Sequence, residues 1–112
     1  MSERREHTRF KTLGLTTTPY GEVMDISDSG MGVFRKGRVI CAVGDDVTMV
    51  LGHGTEEIEL NARVVRVSNV GLFRHEIGFE FVGITEETLS KIWSLTDTAC
   101  SEFAGPRCYL AA

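Results

Sequence analysis

EEIELNARVVRV, residues 56–67, alternates apolar and polar side chains with a period of two. Ile58, Leu60, Ala62 and Val64 fall on one face, and Glu57, Glu59, Asn61 and Arg63 on the other. That is the pattern of a strand with one side in a core and the other in water. The alternation breaks at Val64-Val65, where a bulge or strong bend would move Val65 and Val67 inward.

Working outward, HEIGFEFV (75–82) repeats the pattern, with Ile77, Phe79 and Phe81 inward and Glu76, Glu80 and Val82 outward. DVTMVL (46–51) places Val47, Met49 and Leu51 on one face. YGEVM (20–24) and the run from Gly32 to Arg35 are shorter strand-like pieces. Turn signals separate these runs: KGR at 36–38, VGDD at 43–46, GHGTEE at 52–57 and SNVG at 68–71. Short strands joined by small turns, with no helix between them, predict an antiparallel barrel or sandwich and exclude a doubly wound parallel sheet. A helix follows. Thr85 is placed to cap it, Glu86 and Glu87 complement its dipole, and Ile84 and Leu89 stand at staple spacing. Leu89, Ile92, Trp93 and Thr96 form its apolar stripe, which Cys100 and Phe103 extend until Gly105-Pro106 stops it. The stripe is expected to pack across an open end or seam of the barrel.

The chain has 112 residues, room for one domain, with 42% hydrophobic and 25% charged residues, as in ordinary globular proteins. The expected division is an arm at 1–12, a barrel at 13–84, a helix at 85–104 and a tail at 105–112. A net charge of -4 disfavours general binding to nucleic acid or to anionic membrane. No run is long and apolar enough to span a bilayer, and charge stands where a signal peptide would be apolar. The default expectation is a cytoplasmic protein, a monomer or weak homodimer. Cys41 reads as a small buried apolar residue, and Cys100 and Cys108 as reduced thiols. His7, His53 and His75 have no second ligand at metal spacing and no triad context. Asp45 and Asp46 read as turn residues. Ser27 and Ser29 lack an esterase elbow, and no helix follows the glycines at 30–32 as a dinucleotide fingerprint requires. The expectation is a binding module, with no catalytic residues, metal or cofactor.

Two stretches remain. RREHTRF (4–10) concentrates Arg4, Arg5 and Arg9 in an otherwise acidic chain. Exposed pairing with Glu3 and Glu6 is worth only about 0–1 kcal/mol. Charge-assisted bonds to phosphate, roughly 1.5–3 kcal/mol each, are a stronger reason to cluster arginine. The guanidinium also matches the O6 and N7 acceptors of guanine and stacks on its plane. Whether helical or extended, the arm can converge Arg5 and Arg9 on one ligand. DISDSGMG (25–32) supplies the complement. Asp25 accepts protons, Ser27 both donates and accepts, and Gly30 and Gly32 permit close approach or a positive φ. An Asx turn between strands is the plain alternative.

Arg5-x-x-x-Arg9 followed by Asp25-x-Ser27-x-x-Gly30 resembles the paired motif of PilZ domains, bacterial receptors for cyclic di-GMP. ARVVRV (62–67), IGFEF (77–81) and the helix after TEE resemble the later strands and closing helix of that family. The resemblance thus covers about residues 4–96. It implies a mainly all-β fold, a six-stranded antiparallel β-barrel of PilZ type with a C-terminal α-helix. It also implies that Arg5 and Arg9 hold phosphates and a guanine, while Asp25, Ser27 and Gly30 contact guanine. Arg4 would favour a stacked ligand dimer. The implied function is a cyclic di-GMP receptor and adaptor that changes conformation and signals to a partner protein. In bacteria such domains are linked to motility, surface polysaccharide and virulence. The alternative is a PilZ-type barrel acting as a nucleotide-independent interaction module. An RNA-binding barrel is disfavoured by the acidic balance and by the lack of an aromatic-basic strand face.

Overall fold

The computed structural model describes residues 10–11 and 14–103, with side chains for residues 14–98. Seven strands and one helix follow in order: β1 (Phe10–Lys11), β2 (Thr16–Thr18), β3 (Gly21–Ile26), β4 (Gly30–Lys36), β5 (Asp46–His53), β6 (Glu56–Gly71), β7 (Arg74–Phe81) and α1 (Glu86–Phe103). Every pairing is antiparallel. β2 joins β3 and β5, β5 joins β6, β6 joins β7, β7 joins β4, and β4 returns to β3. The result is a closed barrel of six strands, which leaves no long free edge for another chain. β1 is a two-residue addition beside the far end of β3.

The alternation in residues 56–81 puts Leu60, Ala62, Val64, Ile77, Phe79 and Phe81 in the core. Met49 and Leu51 meet them from β5, and Tyr20 lies edge-to-face on Phe79, ring centroids 5.2 Å apart. The bulge falls where the sequence places it, between Val64 and Arg66. Its effect is only half as expected. Val67 turns inward against the core, but Val65 is 49% exposed. A bulge inserts one unpaired residue, so Val65 is the extra residue left outside, and the inward face resumes at Val67. Cys41 is half-buried rather than buried. Burial, with help from the Asp45 carboxylate and against Arg35, raises its thiol pKa and keeps it protonated and unreactive at neutral pH.

The Thr85 hydroxyl accepts the Thr88 N–H at 3.1 Å, capping α1 as the sequence predicts. Ile84 and Leu89 both pack on the core. Ile92 and Leu95 enter the same buried cluster as the strand side chains, and α1 rests on β5 and β6. Leu95 was not on the predicted stripe. Cys108 and the tail lie outside the described residues, as do the side chains of Cys100 and Phe103.

The turn expected at 68–71 lies further on. β6 continues through Gly71, with a second register shift between Asn69 and Gly71, and the reversal occurs at Leu72-Phe73. Neither residue carries a turn signal. Phe73 sits at φ 55°, a left-handed conformation usually filled by glycine or asparagine. Two bonds brace it: the Asn69 side-chain oxygen accepts the Gly71 N–H at 3.1 Å, and the Phe73 carbonyl accepts the Gly37 N–H at 2.7 Å.

Candidate functional site

The β3–β4 hairpin carries the 25–32 stretch, and a bulge in β3 aims it. Val23 and Ile26 are both buried, although strict alternation puts residues three apart on opposite faces. The register shifts between Val23 and Asp25, so Met24 is the extra residue and Asp25 comes to lie outside, opposite Gly32. One carboxylate oxygen of Asp25 accepts the Gly32 N–H at 3.1 Å. A Cβ on residue 32 would stand 3.0 Å from that oxygen, so glycine there leaves room for the carboxylate.

The turn itself is tight. The Ser27 N–H donates to the Gly30 carbonyl at 2.8 Å, leaving Asp28 and Ser29 at the tip. Ser27 is 0% exposed, and its hydroxyl is engaged within the turn. It lies 3.2 Å from the Ser29 hydroxyl and 3.4 Å from the Gly30 carbonyl, and it accepts the Ser29 N–H at 3.3 Å. In this arrangement Ser27 braces the turn. Gly30 and Gly32 are strand residues, and neither takes a positive φ. Gly30 instead answers to the fold: a Cβ there would run into the Phe79 carbonyl oxygen of β7.

Two features of the site had no sequence signal. The Trp93 indole N–H donates to Asp28 at 2.8 Å, tying α1 to the hairpin tip, and the Ser29 carbonyl accepts the Phe81 N–H at 2.9 Å. Asp28 reads in sequence as an ordinary turn residue, and only the packing of α1 makes it a contact. Trp93 is the chain's single tryptophan, so it reports on this tip alone. Asp28→Ala should shift the indole emission to longer wavelength, since removing the acceptor lets water reach the ring edge. An unchanged spectrum would show that the bond does not persist in solution.

On the other side of β3, Phe10 pairs with Ile26 and Lys11 with Asp25. The end of the arginine-bearing stretch is therefore fastened beside the hairpin. Arg4, Arg5 and Arg9 lie outside the described residues. Among the described residues no group of three or more histidines, cysteines or acids could hold a metal ion. None of the helices found there is long and apolar enough to cross a membrane.

The PilZ domain family model matches residues 3–97, and the chain belongs to that family. The fold is shared with solved structures. The Klebsiella pneumoniae MrkH–c-di-GMP complex superposes with a TM-score of 0.66 at 18% identity, over 83% of this chain and 52% of that one. The Escherichia coli YcgR complex with c-di-GMP gives 0.66 at 16% identity, over 89% and 49%. The Bacillus subtilis inhibitor of motility MotI (DgrA) gives 0.64 at 17% identity, over 95% and 54%. The chain thus spans about half the length of each. No curated protein sequence matches it.

Proposed function

We propose that this chain is a receptor for cyclic di-GMP that signals to a partner protein, binding the nucleotide without transforming it. The observation that carries the reading is the register of β1 on β3. Lys11 pairs with Asp25 and Phe10 with Ile26, so the arginine stretch enters the fold next to the hairpin that bears Asp25-x-Ser27-x-x-Gly30. Arg9 is one peptide unit from Phe10, about 3.8 Å between Cα atoms. Arg5 is four residues further back, within about 15 Å along an extended chain. Both are within reach of a ligand seated on Asp25.

In this reading Arg5 and Arg9 take the phosphates and one guanine face, and Asp25 takes the amino edge of guanine. Ser27 and Gly30 hold the turn against β7. Arg4 recruits a second, stacked nucleotide. Binding draws the arm of residues 1–9 onto the barrel, and the reshaped surface is what the partner reads. The protein acts in the cytoplasm and needs no metal or cofactor. Among outputs, motility has the support of the MotI structure, whose name is inhibitor of motility.

Calorimetric titration of the whole chain with cyclic di-GMP, using GTP as the control, tests the proposal. Saturable heat with the cyclic dinucleotide and none with GTP is the expected result. Absence of binding would overturn the receptor reading and leave a barrel that works by protein contacts alone.

A further inference from the structure

The β6–β7 reversal breaks two rules at once. It carries a large apolar side chain in a left-handed conformation, and it exposes two such side chains, Leu72 at 82% and Phe73 at 68%. Val70, just before them, is also exposed. A turn selected for folding alone would place glycine or asparagine there and point polar groups at water. Strain that the surroundings hold in place is more often found at working surfaces than elsewhere.

The charged side chains nearest this apex are cationic. The row next to the turn pairs Lys36 with Arg74, and the following row pairs Arg35 with His75 and His75 with Asn69. The Arg35 guanidinium turns instead toward the β2–β3 turn, where the Pro19 carbonyl accepts from it at 2.6 Å. Arg38 follows Gly37, the residue bonded to Phe73. The first carboxylate among these paired rows is Glu76, in the third. The site hairpin is at the other end of β4, about 20 Å away. Glu76 lies two residues from Arg74, about 7 Å and inside the screening length of roughly 8 Å, whereas the acids of the site hairpin lie well beyond it.

From this geometry we propose that the β6–β7 apex is a peripheral contact site for anionic lipid surfaces. Leu72 and Phe73 enter the headgroup boundary, and Lys36, Arg38 and Arg74 sit at the phosphates. Two side chains on a two-residue turn offer far less than the roughly 800 Å² per partner of a standard protein interface. A bilayer needs only shallow apolar insertion and rewards the surrounding cations. The net charge of -4 argues against membrane binding for the chain as a whole, but it does not describe this end, where Lys36, Arg38 and Arg74 stand nearest the apex. The proposal is independent of nucleotide binding.

The test is co-sedimentation of the full chain with vesicles of mixed phosphatidylglycerol and phosphatidylcholine, against vesicles of phosphatidylcholine alone. Wild type should sediment with the anionic vesicles only and dissociate as salt rises. Leu72→Asp combined with Phe73→Asp should weaken partitioning by at least about tenfold, and Lys36→Glu with Arg74→Glu by roughly tenfold. Phe73→Gly should also lose binding while melting no lower than wild type, because it relieves the backbone. All variants leave residues 4–9 intact, so arginines there cannot account for a loss. Failure of wild type to bind anionic vesicles would overturn the proposal and point to a protein with an acid-rimmed pocket. Equal binding by the double aspartate variant would also overturn it.

Discussion

Gly30→Ala should destabilise the protein by about 2–3 kcal/mol, and the melting temperature should fall by roughly 8–13 °C. The added Cβ meets a backbone carbonyl, that of Phe79, rather than a side chain that can swing away. Phe79 cannot retreat, because β7 is paired with β4 on one side and β6 on the other and its ring is buried against Tyr20. Relief must come from parting β4 from β7, which opens the barrel. Gly32→Ala is the informative contrast. Its Cβ meets only the Asp25 carboxylate, a movable group, so stability should change by less than about 1 kcal/mol while the carboxylate is displaced. Thermal unfolding followed by far-ultraviolet circular dichroism separates the two. If Gly30→Ala melts with wild type, the close approach of β4 to β7 is not as described.

The second large effect is on the ligand. Arg5→Ala, Arg9→Ala and Asp25→Ala should each weaken cyclic di-GMP binding by at least about tenfold, and by about 100-fold or more where two bonds are lost. In the proposed site each would remove one or two charge-assisted hydrogen bonds of roughly 1.5–3 kcal/mol, and every 1.36 kcal/mol is a factor of ten. Asp25→Ala should lose about 1 kcal/mol of stability as well, because the Gly32 N–H loses its acceptor. Arg4→Ala should retain binding but change the stoichiometry from a stacked pair of nucleotides to a single one. Calorimetry of the four variants gives affinity and stoichiometry together. Wild-type affinity in both Arg5→Ala and Asp25→Ala would show that the two stretches do not form one site.

The barrel was legible because its strands obey a single rule. One face of residues 56–81 is buried, so the period of two survives in the sequence and even marks the first bulge. What the rule cannot show is which way an extra residue goes. Val65 was expected inside and lies outside, because a bulge changes phase by leaving a residue unpaired. The bulge at Met24 left the same sign, the adjacent apolar pair Val23-Met24, but the run of residues 20–26 is too short for a break in its alternation to stand out. The turn at Leu72-Phe73 carries no sequence signal because it is made of residues that turns avoid. At the site, the donors and acceptors of residues 25–32 were readable one by one, but not their assignments. Ser27 is buried within its own turn, and Asp28 meets a tryptophan 65 positions away. Contacts of that range are fixed by packing, which a local pattern does not encode.

The barrel closes by pairing β3 with β4, and β4 is held on its other side by β7. The hairpin made of residues 25–32 is thus the clasp of the ring, yet the strand that backs it, β7, is the last of the described strands. During synthesis the two halves of the clasp leave the ribosome early and have no wall to lie against until Phe81 has followed them. Trp93, which pins the tip, comes later still. A nascent chain that has not yet reached Phe81 therefore lacks the wall that holds the turn in place.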